Sequence, residues 1–231
     1  MIPIPGVYGP HRDSELIAKV VAEEVRPGDR VLDVCTGSGY LALTAARAGA
    51  GHVAATDVSR RAILSVRLNA RLRGLAVEAR RGNLLEPAGH RYFDLIVANP
   101  PYVPSVDADA PVRGASRAWE GGGDGRRLLT PLLRDAPHRL LPGGRLLIVH
   151  SSLCGLEETL STLEAAGLTA EIVATESAPL GPITAPRAEQ LERRGILMKG
   201  ERSEVTAVIR AVMPARTQPD ETARTPAFVS A

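Results

Sequence analysis

The chain has 231 residues, a formal net charge of +2 and 44% hydrophobic residues. This length suffices for one large or two small domains with a substantial buried core. The nearly neutral charge does not indicate a protein that binds nucleic acid or a membrane surface mainly through electrostatics, so we expect neither as a direct partner.

The two cysteines, Cys35 and Cys154, lie in unrelated sequence contexts. They argue against a disulfide framework and favour a reducing compartment. No cationic leader with an apolar core precedes the first predicted helix, and no run approaches the roughly 18 apolar residues that span a bilayer. We therefore expect a cytoplasmic protein with neither a signal peptide nor a membrane span.

The first half of the chain alternates predicted helices and strands. Residues 1–10 are rich in Pro and Gly and are typical of an irregular arm. Asp13 or Ser14 is predicted to cap a first helix that ends at residues 27–29. The next elements are a strand at 30–34, a glycine loop at 35–39, a helix at 40–48, a strand at 52–56, a helix from its cap Ser59 to Gly74, and a third strand at 76–80.

The second half continues this alternation. Residues 93–98 predict a buried strand, and residues 103–123 a long connection of the kind that is usually functional or disordered. The later elements are a helix from about 124 to 140 that kinks or restarts at Pro131, a strand at 145–150, a helix from Leu156 to Gly167, a strand at 168–175, a short helix from Pro186 to about Gly195, and a final strand at 205–212. This order predicts an α/β protein with a mostly parallel sheet. We expect one domain over residues 1–213 and a disordered tail over 214–231.

A glycine loop links the first predicted strand to the next helix. Gly37 and Gly39 let the backbone approach a ligand closely, and the helix N-terminus favours anionic groups. Asp57 lies twenty residues after Gly37, at the tip of the next strand, where its carboxylate can accept hydrogen bonds from two ribose hydroxyls. This spacing fits a dinucleotide dehydrogenase as well as an S-adenosylmethionine enzyme.

Other strand ends distinguish these two cofactors. Asp33 precedes the loop, where it could order the glycine turn, and Asn83 ends the third strand, where it can hydrogen-bond an adenine edge. No second half-domain that would hold a nicotinamide is predicted after these elements. The sequence therefore favours S-adenosylmethionine.

The motif Asn99-Pro100-Pro101-Tyr102 follows the fourth predicted strand. Each proline fixes its own φ, restricts the residue before it and has no N–H. The Asn99 amide and the carbonyls of Asn99 and Pro100 then form a rigid acceptor clamp for a planar NH2 group, beside the Tyr102 ring. A bare Asn-Pro-Pro would only end a strand, but this context suits a nitrogen nucleophile rather than a hydride donor.

These residues resemble the class I S-adenosylmethionine-dependent methyltransferases. The resemblance is strongest to the HemK/PrmC type, which methylates the side-chain nitrogen of glutamine in peptide-chain release factors. It runs from about Val7 to Val212 and is carried by residues 31–39, Asp57, residues 99–102, residues 121–125 and the turn at 142–144. It implies a doubly wound, seven-stranded, mostly parallel sheet of the Rossmann-like methyltransferase fold, with the last strand antiparallel.

The resemblance also implies the ligands and the site. The cofactor would be S-adenosyl-L-methionine, which leaves as S-adenosyl-L-homocysteine, and no metal site is predicted. The partners would be a protein substrate such as a release factor and, as in the shorter eukaryotic and archaeal branch, a small zinc-binding activating subunit. The predicted catalytic residues are Asn99, Pro100, Pro101 and Tyr102. The predicted cofactor-binding residues are Asp33, Cys35, Thr36, Gly37, Ser38, Gly39, Asp57, Val58, Asn83, Leu84 and Asn99.

Three departures from the family pattern concern the substrate more than the chemistry. Asn83 stands where the family often has Asp, the helical docking domain of the bacterial enzymes has no counterpart before Val31, and residues 150–152 differ from the acidic sequence of longer relatives. The alternative acceptors are the exocyclic amine of adenine in DNA or RNA, and a small molecule or peptide. A non-catalytic binding subunit is a further alternative, although the intact glycine loop, Asp57 and Asn99 argue against it.

Two features stay open at this point. Trp119 fits a substrate lid and equally a side chain packed under a loop. Tyr8, Pro10 and Asp13 fit a border of the cofactor site and equally a lead into the first helix.

Overall fold

The computed structural model describes residues 1–107 and 114–215, where a seven-stranded sheet carries helices on both faces. The strands are β1 (Arg30–Val34), β2 (His52–Asp57), β3 (Glu78–Arg81), β4 (Phe93–Ala98), β5 (Leu140–Ser151), β6 (Thr169–Pro179) and β7 (Ser203–Val212). The helices are α1 (Arg12–Glu24), α2 (Tyr40–Arg47), α3 (Arg60–Arg71), α4 (Leu129–Asp135), α5 (Leu156–Ala165) and α6 (Ala188–Arg193). Residues 216–231 of the predicted tail lie outside the described range, so the boundary at 213 stays a prediction.

The strands run in the order β3-β2-β1-β4-β5-β7-β6. The pairs among β1 to β5 are parallel, whereas β7 is antiparallel to both β5 and β6. The predicted fold class is therefore confirmed, including the antiparallel last strand.

The core lies in two layers because successive residues of a strand point to opposite faces of the sheet. Leu32 and Ile96 belong to one buried apolar cluster, together with Leu132 of α4. Their neighbours Val31 and Leu95 belong to the other cluster, which includes residues of α1, α2 and α3. Both faces of the central strands are thus buried, as a doubly wound sheet requires.

The start of α1 differs from the prediction. The helix begins at Arg12, with His11 in the N-cap position and no side-chain cap hydrogen bond. Asp13 and Ser14 lie inside the first turn and are buried, so their assignment as N-caps was wrong. The cap of α3 is confirmed, since the Ser59 side chain accepts a hydrogen bond from the N–H of Ala62.

The helix predicted from about 124 to 140 was too long. Only Leu129–Asp135 is α-helical, and a 3₁₀ turn over Pro137–Arg139 follows it. Pro131 lies in the first turn of α4, where a backbone N–H has no partner within the helix and its loss costs little.

Several strand boundaries also differ. The sixth strand was expected at 168–175 but spans Thr169–Pro179, and the last was expected at 205–212 but begins at Ser203. The third strand was expected at 76–80 but spans Glu78–Arg81. The fifth begins at Leu140 instead of 145, because Leu140 pairs with Phe93 before a register shift ahead of the pairing of Arg145 with Leu95. The predicted turn at 142–144 is therefore an irregularity within a longer strand.

No helix in the two described segments is long and apolar enough to cross a bilayer.

A buried ion pair ties β5 to the end of α1. Arg145 is 3% exposed; its Nη2 lies 2.5 Å from Asp29 Oδ2, and its Nη1 donates to the carbonyl of Glu24 at 2.7 Å. Two distant chain segments thus depend on one guanidinium.

Replacing this arginine is expected to destabilise the fold strongly. Arg145→Ala leaves Asp29 buried without its cation, which costs about 3–5 kcal/mol. The matched control is Arg30→Ala, because Arg30 pairs with Asp94 at the surface, where a pair contributes about 0–1 kcal/mol. Urea unfolding measures both free energies, and similar losses in the two variants would contradict the assignment.

Candidate active site

The two predicted turns meet at the carboxyl edge of the sheet. β1 and β4 are parallel neighbours, with Val34 paired to Ala98. The glycine loop and Asn99 therefore leave adjacent strands at the same level, where open α/β sheets bind their ligands.

A cavity of about 710 Å³ opens at this edge. Eight of the predicted site residues line it: Cys35, Gly37, Asp57, Val58, Asn83, Leu84, Asn99 and Pro101. The other predicted residues do not line it: Asp33, Thr36, Ser38, Gly39, Pro100 and Tyr102. The structure thus brings the glycine turn, Asp57, Asn83 and Asn99 around one space, with the remaining residues behind its wall.

The glycine turn can be built only with glycine at two positions. Gly37 has φ +52°, and a Cβ there would lie 3.2 Å from the carbonyl oxygen of Tyr8. Gly39 has φ +88°, and a Cβ there would lie 3.0 Å from Val66 Cγ2 of α3. Their absent side chains let the arm pack on the loop and α2 pack on α3.

Asp33 orders this turn from below, as the sequence predicted. Its Oδ2 accepts hydrogen bonds from Thr36 Oγ1 at 2.5 Å and from the N–H of Ala42 at 2.9 Å. Its Oδ1 is buried and has no partner among the described residues. Burial raises the pKa of Asp33 to about 7.

Asp57 joins the turn to the tip of β2. Its Oδ2 accepts from the N–H of Gly37 at 3.0 Å, and its Oδ1 accepts from the N–H of Ser59 at 2.8 Å. Each oxygen keeps a lone pair, and the residue lines the cavity, so hydroxyl groups of a ligand can still donate to it. Burial raises the pKa of Asp57 as well.

A carboxylate from α1 holds the Asn-Pro-Pro-Tyr motif. Asn99 Nδ2 donates to Asp13 Oδ2 at 2.9 Å and to Ser14 Oγ at 3.1 Å. The Tyr102 hydroxyl donates to the same Asp13 oxygen at 3.1 Å. Burial raises the pKa of Tyr102, and the charge of Asp13 contributes.

The structure shows which of Tyr8 and Asp13 borders the predicted cofactor site. Tyr8 lines the cavity, and burial, followed by the charge of Asp13, raises the pKa of its phenol. Asp13 acts on Asn99 and does not line the cavity. The helix dipole favours an acid in the first turn of any helix, so the sequence alone could not separate this role of Asp13 from a lead into the first helix.

The base of the connection 103–123 is fixed from both ends, while its residues 108–113 lie outside the described range. The N–H of Val103 donates to the carbonyl of Trp119, and that of Gly121 donates to the carbonyl of Val103, both at 2.8 Å. Arg187, before α6, bonds both the Pro104 carbonyl and the carboxylate of Glu120. Trp119 is partly buried and is not among the residues that line the cavity.

The sequence missed part of the cavity wall. Arg127 and Leu128 line it, although they were assigned only to a helix, and the arm supplies Gly6 and Val7. The glycines at 121–125 were the signal in the sequence for the part of the wall formed by Arg127 and Leu128, since this segment passes close to the backbone of Tyr102. A Cβ on Gly125 would lie 2.4 Å from the Tyr102 carbonyl oxygen.

The sheet order, the glycine turn and the Asn-Pro-Pro-Tyr motif at adjacent strand ends define a Rossmann-like methyltransferase. Comparison with known proteins agrees. Residues 4–177 match the Methyltransferase small domain family, so the chain belongs to this family. The predicted recognition and the assignment as an enzyme of the methyltransferase class are thereby confirmed.

Relatives and a solved structure refine the comparison. A Methanocaldococcus jannaschii protein named "Putative protein N5-glutamine methyltransferase" is 32% identical over 76% of this chain and 87% of its own length. A release factor glutamine methyltransferase of Deinococcus radiodurans is 41% identical over 60% of this chain, which spans about half (52%) of that relative. A chain of the E. cuniculi Mtq2–Trm112 complex, responsible for methylating the eRF1 termination factor, has a TM-score of 0.63 at 22% identity and covers 90% of this chain and 99% of that one.

The raised pKa of Asp33 predicts a specific dependence of stability on pH. Between its ordinary pKa of 3.8 and about 7, the folded protein retains a proton that the unfolded chain has lost. The contribution of Asp33 to the free energy of unfolding therefore falls as pH rises through this window. Urea unfolding between pH 4.5 and 8 gives the free energy of unfolding of the wild type and of Asp33→Asn. The wild-type value minus the variant value should decline as the pH rises. A flat difference would contradict the titration.

Proposed function

We propose that this protein transfers a methyl group from S-adenosyl-L-methionine to the side-chain amide nitrogen of a glutamine in a protein, with a release factor as the model substrate. The observation that carries the proposal is the state of Asn99. Its nitrogen is engaged by Asp13 and Ser14, so its oxygen is the atom left for a substrate in the cavity. The glycine turn lies on the neighbouring strand.

The cavity fits the proposed cofactor by size and chemistry. Its volume of about 710 Å³ lies within the range of nucleoside-sized sites. Asp57 offers acceptors to ribose hydroxyls, Asn83 and Leu84 would border the adenine, and the glycine turn contributes Cys35 and Gly37 to the cavity wall. When bound, the cofactor supplies an electrophilic methyl group on a sulfonium.

The residues of the motif compensate for a weak nucleophile. The lone pair of an amide nitrogen is delocalised into the carbonyl. In this proposal Asn99 Oδ1 accepts one N–H bond, and the Pro100 carbonyl, between the cavity-lining residues Asn99 and Pro101, accepts the other, although Pro100 itself is not among the lining residues; together they localise the lone pair and aim it at the incoming carbon. The methylated nitrogen becomes acidic and releases its proton without a strong base. The catalysis attributed to these residues is thus positioning and electrostatics.

Tyr102 takes a more indirect role in this proposal than the sequence indicated. Its ring packs against the buried cluster, and its hydroxyl donates a hydrogen bond to Asp13. Tyr102 is not among the residues that line the cavity. We therefore propose that Tyr102 supports the acceptor clamp from behind, and that Pro101, which does line the cavity, forms the wall beside the planar amide.

A second candidate acceptor is the exocyclic amine of adenine in DNA or RNA. It is favoured by the charge of the cavity wall, where five arginines and a single carboxylate, that of Asp57, are found among the lining residues that the structure describes. These arginines are Arg60, Arg61, Arg81, Arg117 and Arg127. Such a wall suits an acceptor that carries phosphates. The similarity to named glutamine methyltransferases ranks the protein acceptor first.

The test is a radiolabelled methyl-transfer assay on cell extract treated with protease or nuclease. We expect label that protease releases and nuclease does not, and label released by nuclease would favour adenine. Asn99→Ala should lower transfer to a small residual rate, because one of the two acceptors is lost, while calorimetry shows an unchanged affinity for S-adenosylmethionine. Equal loss of transfer and of cofactor affinity would contradict the division of roles.

We further propose that a small acidic subunit, like the zinc-binding partner of the shorter branch, docks on α3. Leu64, Leu68 and Leu72 repeat at four-residue spacing and are 59%, 37% and 58% exposed. Residues 60–73 carry five arginines and no acid, which suits an acidic partner. The neighbouring β3 is an edge strand with one unpaired side, to which a partner can add a strand.

Breaking this stripe should prevent complex formation and leave the fold intact. Leu68→Glu places a charge on an exposed apolar face, so the free energy of unfolding should change by less than about 1 kcal/mol. Co-purification with a co-expressed candidate subunit should be lost. The matched control is Met198→Glu, since Met198 is 77% exposed on another part of the surface. Equal binding by both variants would place the partner elsewhere.

A further inference from the structure

We propose that Asp13 is a positioning residue that sets the acceptor specificity of the site, because it fixes which end of the Asn99 carboxamide faces the substrate. This inference rests on the proposed function and deepens it. Asp13 and Asn99 are 86 residues apart in sequence, and α1 brings the carboxylate against the end of β4.

The contacts of Asp13 use its full capacity as an acceptor. Oδ1 accepts from the backbone N–H of Ser14 at 2.7 Å and from its hydroxyl at 3.3 Å. Oδ2 accepts from Asn99 Nδ2 at 2.9 Å and from the Tyr102 hydroxyl at 3.1 Å. An ionised carboxylate offers about four lone-pair sites, so this one is satisfied although it is only 8% exposed.

This arrangement determines the orientation of the Asn99 amide. A carboxylate can only accept, so the Asn99 atom at 2.9 Å from it has to be the donor nitrogen. Ser14 spends its hydroxyl proton on Asp13 and therefore accepts from Asn99 at 3.1 Å. In the flipped orientation the amide oxygen would face the Asp13 carboxylate and that contact would become repulsive, whereas the Ser14 hydroxyl can donate or accept and does not discriminate between the two orientations.

The orientation decides what the cavity recognises. With its nitrogen engaged, Asn99 presents an acceptor, which suits the N–H bonds of a primary amide or amine. The flipped amide would present donors, which suit a carbonyl or a carboxylate. Asp13 thus selects a glutamine-type NH2 over the corresponding acid, without touching the substrate.

Kinetics of paired variants test this role. Asp13→Asn is close in shape but can donate as well as accept, so it releases the constraint on Asn99. We expect kcat to fall about 10- to 100-fold, as for a misplaced positioning group, with the affinity for S-adenosylmethionine unchanged. In an Asn99→Ala background, Asp13→Asn should have no further effect on the residual rate. Additive losses would overturn the proposal, because a merely structural residue acts independently of Asn99.

A second measurement does not depend on methyl transfer. Nuclear magnetic resonance of the labelled side-chain amides compares Asn99 with Asn83, whose amide is exposed. We expect the Asn99 NH2 protons to exchange with water more slowly than those of Asn83, and to lose this protection in Asp13→Asn. Equal exchange in the wild type would overturn the assigned orientation even if glutamine methylation is observed. Confirmed protection without glutamine methylation would refute the proposed substrate instead.

Discussion

The parallel pairing of β1 with β4 is the constraint on which the site depends. Val34 and Ala98 are register partners, so the chain leaves both strands at one level of the sheet. Parallel strands lie only about 4.8 Å apart, so the backbone pairing itself places the glycine turn and the Asn-Pro-Pro turn side by side. A one-residue slip of this register would move Asn99 off the cavity and exchange the side chains that pack into the two buried layers.

The pairing places the backbones, whereas the side chains are oriented by elements outside the sheet. α1 supplies Asp13 and Ser14 to the motif on β4. The segment before α6 supplies Arg187 to the base of the connection above the sheet. Asn99 and the base of the connection are therefore held by segments remote in sequence, and the sheet alone would not fix their geometry.

How much could be predicted follows from this division. The alternation of strands and helices was accessible because apolar runs, glycines and the twenty-residue spacing from Gly37 to Asp57 are local signals, whereas the seven-stranded sheet with its antiparallel last strand was implied by the family resemblance. The extent of α4 could not be predicted in this way. Leu128 and Leu129 fit a helical period whether the helix begins at Leu129 or within the preceding glycine-rich segment. The role of Asp13 was inaccessible for a different reason. Its partner lies 86 residues away, and only the packed tertiary structure shows which acid of the first helical turn faces inward.

Backbone strain shows how firmly the cavity is held. Cys35 and Leu84 line it with φ of +60° and +43°, a conformation that costs a non-glycine residue roughly 1–2 kcal/mol. Thr56 of β2 connects these two turns, because its carbonyl accepts from the N–H of Thr36 at 3.0 Å and its hydroxyl donates to the Leu84 carbonyl at 2.8 Å. One buried threonine thus links the two strained turns, and its hydrogen bonds offset part of the strain in the backbone that lines the cavity.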